Sequence, residues 1–171
     1  MDEMNLDIFK DMDRDDLLRY IEFLLWHYRV MDSFWFIRVE EEFGIKTAER
    51  INERVWVRVT PMAVKDLLRR FNIEEKGLEG LVKALSLFPW TIIGGHKIEK
   101  VDNEVILTVS QCPPQVARLK RGLGEYDCKE MHMKEFIGIA REVDPHIQVR
   151  CEFAPPDPHP EDLFCKWRFT V

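Results

Sequence analysis

The feature that most constrains this chain is a change of hydrophobic period near Pro89. Before it, apolar residues recur at spacings of three and four. After it, they alternate with polar residues over short segments. Three-and-four spacing gathers side chains on one face of an α-helix, whereas alternation gathers them on one face of a strand. A chain that does one and then the other belongs to the α+β class, with its strands grouped rather than interleaved with helices.

In the first part, Leu17, Ile21, Leu24, Leu25 and Tyr28 form a stripe that predicts a helix over 15–28. Ser33 reads as the N-cap of a second helix carrying Phe36, Val39 and Phe43, and Gly44 reads as its stop. Thr47 reads as the cap of a third helix, with Ile51 and Val55 inward. Pro61 suits the first turn of another, with Val64, Leu67, Leu68 and Phe71 on its stripe. Leu78, Leu81, Val82 and Leu85 mark a fifth, ended before Pro89. Trp26, Trp35, Phe36 and Trp56 read as helix-packing core.

In the second part, 90–101 and 104–111 predict a hairpin turning at Asp102-Asn103. A short helix over 115–121 and a longer one over 129–142 follow. Residues 147–153 and 163–171 predict a second hairpin around the loop Pro155–Pro160. The expected organisation is a helical half, 1–88, and a hairpin–helix–hairpin unit, 89–171, in one compact body. Its four-stranded antiparallel sheet is covered by helices on one face. Gln148, Arg150, Lys166 and Arg168 predict a second face open to water.

Composition narrows the function classes. Hydrophobic residues are 46% and charged residues 33% of the 171, which excludes a disordered or fibrous chain. The net charge of -6 works against a nucleic-acid partner. The basic clusters Arg118, Lys120, Arg121 and Lys65, Arg69, Arg70 read as solvated helix faces. The start carries Asp7, Asp11, Asp13, Asp15 and Asp16, unlike the basic start of a signal peptide. The longest uncharged run, Ala84 to His96, is too short for the ~20 apolar residues of a membrane helix. The expectation is therefore a cytoplasmic protein with no membrane partner.

All four cysteines fall in the second part, at Cys112, Cys128, Cys151 and Cys165. In a reducing compartment they read as thiols or ligands before disulfides. If the last hairpin folds symmetrically about Pro158, Cys151 and Cys165 sit opposite each other on the apolar face, with Cβ atoms ~4.5–5.5 Å apart. Cys128 begins the long helix, and His132 lies one turn further on. Either these groups converge on a zinc ion between sheet and helix, or they are scattered buried thiols that pack as small hydrophobes. His96 falls opposite Val109, on the face of Ile98 and Leu107. It is either a core histidine bonded to the backbone or a ligand contact. Gly94 and Gly95 either admit a ligand or form a bulge. Asp157 and His159 are either an acid–base pair or a rigid turn in which Asp157 caps local amides. No glycine-rich phosphate loop, H-E-x-x-H motif or serine-nucleophile elbow is present.

Several blocks carry a resemblance: Cys112-Pro113-Pro114-Gln115, Ala117-Arg118, Gly122-Leu123-Gly124-Glu125-Tyr126, Cys128-Lys129, the run Pro155 to Trp167, and upstream Phe34 to Trp56. Together they resemble a bacterial and archaeal family of "cytosolic proteins" linked to L-2-amino-thiazoline-4-carboxylic acid hydrolase-like proteins. The last helix–hairpin unit is also similar in topology to the 4-vinyl reductase domain, whose members bind small molecules and can dimerise. Phe153-Ala154 stands before the double proline, where that family pattern would bring a cysteine nearer the loop.

The reading is a small-molecule-binding protein with a cysteine-lined, zinc-bearing pocket between the last helix and the sheet, and a homodimer as a possible state. Its metal ligands would be Cys112, Cys128, Cys151, Cys165 and His132, and its ligand contacts His96, Tyr126 and Trp167. The alternative is a hydrolase of a small cyclic amide-like or thiazoline carboxylate. There Cys128 or a metal-bound water attacks, and Asp157 and His159 move protons. A structural or partner-binding domain is the third reading.

Overall fold

The computed structural model describes residues 4–171. Asp13 caps the first helix, its carboxylate accepting from the Asp16 N–H at 2.8 Å. That helix, α1 (Arg14–Phe43), runs unbroken for 30 residues. Gly44 then turns the chain at a φ of +79°, a conformation that favours glycine, into α2 (Ile45–Arg70). Ser33, Thr47 and Pro61 therefore do not mark helix ends. The two long helices replace four expected short ones.

Pro61 lies inside α2. It is accommodated against the next helix layer, where a Cβ on Gly138 would come within 3.3 Å of the Pro61 ring. A proline inside a helix removes one backbone hydrogen bond. Here its ring also fills a close helix–helix crossing that the sequence period does not reveal.

After α3 (Gly77–Leu87), Pro89 opens a short helix, α4 (Pro89–Ile93), where the sequence predicts strand. The first strand begins only at Lys97. Four strands follow: β1 (Lys97–Val101), β2 (Glu104–Val109), β3 (Gln148–Phe153) and β4 (Cys165–Thr170). Between the hairpins lie α5 (Pro113–Lys120) and α6 (Lys129–Val143). The sheet order is β1-β2-β4-β3, antiparallel throughout, so the fold is α+β as the change of period implies.

The core lies between one sheet face and the helices. Val105, Leu107, Val109, Trp167 and Phe169 project from β2 and β4 onto Leu81 and Leu85 of α3 and Ile139, Ala140 and Val143 of α6. Phe136 meets Trp167 edge-on with ring centroids 5.0 Å apart, and Phe169 at 5.6 Å. Each such fully buried side chain is worth roughly 1.5–3 kcal/mol. The opposite sheet face is polar: Arg168 bridges Glu104 and Glu152, and Lys166 pairs with Glu152 at 3.0 Å. α2 stacks on α6, and α1 stacks on α2. Burial fades outward through these layers, and no residue of α1 is fully buried. Trp26 and Trp35 are exposed, against their expected place in a helix-packing core.

Candidate functional site

Where α1 and α2 face α5 and the start of α6, the packing leaves a cavity of about 290 Å³. α1 contributes Asp32, Phe36 and Glu40, and α2 contributes Asn52 and Trp56. Trp90 of α4 and His96 beyond it form one side. Cys112, Arg118, Tyr126, Met131, His132 and Glu135 form the other. The aromatic walls support one another. Phe36 meets Tyr126 at 5.0 Å between centroids, and Trp56 meets Trp90 edge-on at 6.2 Å.

Polar groups are set into this apolar lining. His132 Nδ1 lies 2.7 Å from Glu135 Oε2, and the imidazole stacks on Phe136. Glu135 is only 4% exposed, an acid on the inward face of α6. Arg118 bridges Glu40, donates to the Gly124 carbonyl at 3.1 Å and lies over the Tyr126 ring. Asp32 has no ion-pair partner among the described residues. Burial, together with the charge of Glu135, pushes its carboxyl up to about 6. Burial and the Asp32 charge push the Tyr28 phenol up to about 12.

His96 adds an unsatisfied group. Its backbone N–H donates to the Thr91 carbonyl at 3.0 Å, but its ring Nδ1 is buried without a partner. Burial, aided by the charge of His132, drives the imidazole down to about 4, so it is neutral near pH 7. Gly94 makes this placement possible, since a Cβ there would come within 2.5 Å of His96 Nε2. The glycine makes room for the imidazole, a role that is neither the ligand approach nor the bulge expected of Gly94 and Gly95.

The thiols are arranged differently from the zinc expectation. Cys151 pairs across the sheet with Trp167, and Cys165 pairs with Val109. The last hairpin is offset by two residues from symmetry about Pro158, which preserves the shared face but separates the two cysteines. Cys128 Sγ is held 3.4 Å from Gln115 Nε2 and 3.9 Å from the Pro155 carbonyl, and His132 is turned to Glu135. Among the described residues, no group of three or more His, Cys, Asp or Glu side chains is placed to hold a metal ion. The metal-binding, zinc and cysteine-cluster expectations are therefore corrected. Of the four cysteines only Cys112 lines the cavity, and burial pushes its thiol up to about 11. Burial likewise raises Cys128 well above the usual thiol range, Cys151 to about 11 and Cys165 to about 12. Neutral thiols of this kind are poor nucleophiles at pH 7.

The other sequence candidates separate. Tyr126 and His96 line the cavity, whereas Trp167 is wholly buried in the sheet core. Asp157 pairs with Lys129 at 2.8 Å and accepts from the Ala154 N–H, while His159 faces Glu125 at 3.1 Å. Each has its own partner away from the cavity. Gln115 is fully buried and bonded both ways to Tyr126: its Oε1 accepts from the Tyr126 N–H at 3.1 Å, and its Nε2 donates to the carbonyl at 2.9 Å. Gln115 thus laces α5 to the chain that enters α6.

The cavity residues that escaped the sequence reading include Asp32, Glu135 and Trp90. Two had a signal. Asp32 interrupts the apolar run around Met31 and Phe34, and Glu135 sits between Met131 and Phe136 on an otherwise apolar helix face.

An α+β scaffold with one aromatic cavity, its acids turned inward, defines the class of chain. It belongs to the family described as "Family of unknown function (DUF6125)", whose pattern spans residues 10–171. No curated protein matches the sequence.

Proposed function

We propose that this chain is a cytoplasmic small-molecule-binding protein whose ligand occupies the aromatic cavity between the helical hairpin and α5–α6. One observation carries the reading: an apolar cavity of about 290 Å³ into which Asp32, His96 and the His132–Glu135 pair are set. Ligand sites are typically apolar hollows with a few convergent polar groups, from about 300 Å³ upward. This one lies at the small end and suits a ligand of one or two rings. The pocket sits above α5 and α6 rather than between α6 and the sheet. Calorimetric titration with 2-naphthalenemethanol tests the reading. Saturable binding of one equivalent is expected, lost when Ala117→Trp fills the cavity. Absence of any binding by such aromatics would sink it.

Hydrolysis of a small cyclic amide-like or thiazoline carboxylate draws support from the His132–Glu135 pair. Glu135 holds Nδ1, which leaves Nε2 to take a proton from a water attacking the C=N carbon. On this reading His132→Ala abolishes turnover of 2-amino-thiazoline-4-carboxylate, whereas His159→Ala retains it. Turnover untouched by His132→Ala would dismiss the pair as catalytic.

A homodimer fits the outer helix. Ile21, Leu24, Tyr28, Met31 and Trp35 follow one another at spacings of three and four, as in a helix–helix seam, and all but Tyr28, whose ring packs on Trp90, are well exposed. A standard interface needs about 800 Å² per partner, an area that a helix of this length with such side chains can offer to a second copy. Sedimentation equilibrium should report a dimer that Leu24→Glu dissociates.

A further inference from the structure

We propose that the ligand of this cavity is an apolar organic cation, a primary amine or amidine on an aromatic body, whose charged group sits against Asp32 and Glu135. The inference rests on the pocket reading above and adds the chemical class of the ligand. It follows from the charges left uncompensated once each lining acid is traced to its partner. Glu40 is bridged by Arg118 and Glu41 by Arg38. Glu135 has His132, which neutralises it only when the imidazole is protonated. Asp32, half-buried on α1, has no partner, and it feels Glu135 as a like charge.

Two carboxylates that share a cavity and repel each other favour whatever brings in a positive charge: a proton, or a bound cation. The walls favour the cation as well. Phe36, Trp56, Trp90 and Tyr126 present aromatic rings to the same space, and ring faces attract ammonium and amidinium groups. The His96 imidazole is neutral near pH 7, so it brings no competing positive charge to this space. An anionic ligand would meet the same carboxylates as repulsion, and the one unpaired cation among the described lining residues, Arg121, is exposed to solvent, which screens its charge. A neutral one would leave Asp32 as costly as before.

Three probes of one shape separate these cases: 2-naphthylmethylamine, 2-naphthalenemethanol and 2-naphthoate, each titrated into the full chain at pH 7.5. The amine should bind about tenfold more tightly than the alcohol, the step expected for one charge-assisted contact, and the carboxylate most weakly. In Asp32→Asn the amine's advantage should shrink to about twofold or less. The alcohol titrated alongside reports that the cavity still forms. Glu135→Gln is the second variant and should reduce the advantage in the same direction. Equal or tighter binding of the alcohol by the wild type overturns the cation assignment and leaves the pocket standing. So does an amine preference undiminished in both variants. If neither amine nor alcohol binds, the pocket reading falls and this inference with it.

Discussion

β4 and α1 both carry large aromatic and aliphatic side chains, but the two elements are packed very differently. On β4, Trp167 and Phe169 are fully buried, with β2 and β3 on either side and α6 across the face. On α1, Trp26 and Trp35 are 52% and 68% exposed, and the helix packs mainly on α2. Similar residues thus contribute very unequally, because apolar stabilisation follows the area removed from water rather than residue type. α1 is held more by its own order: the Asp13 cap, local pairs such as Arg19–Asp16, and backbone hydrogen bonds along 30 residues. The cavity lies between these regimes, with a well-buried floor from α6 and a lightly packed wall from α1.

The strongest way to sharpen this contrast is Trp167→Ala, which should lower unfolding free energy by about 3–5 kcal/mol in urea titration. A loss below ~1 kcal/mol would mean that the sheet core is not the stability centre. Gln115→Ala comes next. It strands the buried N–H and carbonyl of Tyr126, and should cost about 2–4 kcal/mol by the same measurement.

The cavity acids give a smaller effect that depends on pH. The Asp32 carboxyl rises from 3.8 to about 6 on folding, so the folded state disfavours its charge. Stability is lost as pH rises from about 4 through 6, and the full penalty applies above that window. Asp32→Asn should therefore stabilise the protein at pH 8, by roughly 1–2 kcal/mol after allowing for its partial exposure, and have almost no effect at pH 4. His96 acts in the opposite sense. Its imidazole falls from 6.5 to about 4, so stability is lost as pH drops through that interval. His96→Asn should flatten the acid limb of the same curve. An Asp32→Asn effect independent of pH would disconnect the carboxylate from its buried setting.

The smallest effect should come from Trp35→Ala, below ~0.5 kcal/mol for the isolated chain. A cost that grows with protein concentration would show instead that α1 is covered by a second copy, and would redraw the comparison between the two elements.

Much of the fold could be read from local pattern. The switch from helix to strand, the Gly44 break, the turn at Asp102-Asn103 and the inward set Val105, Leu107 and Val109 all rest on spacing within one element. The site was less accessible to such reading. His96 and Tyr126 were among the candidates and line the cavity, but zinc, the cysteine cluster and Trp167 led elsewhere. Asp32 and Glu135 meet across more than 100 residues of chain, and nothing local relates them.

By itself the sequence determined that helices come first and strands after, because hydrophobic period and glycine conformation act over a few residues, although 90–93, read as strand, belong to helix α4. It determined the polar outer face of the sheet for the same reason. Only the tertiary structure decided that Ser33, Thr47 and Pro61 lie within long helices, since a capping residue ends a helix only when the next turn gains nothing by continuing. It also decided the hairpin register. The bulge between Cys151 and Phe153 and the pairing of β4 with β2 place Cys151 opposite Trp167. The cavity belongs wholly to this second category. Its charge comes from side chains on separate helices, and their cost and their use arise only when packing removes them together from water.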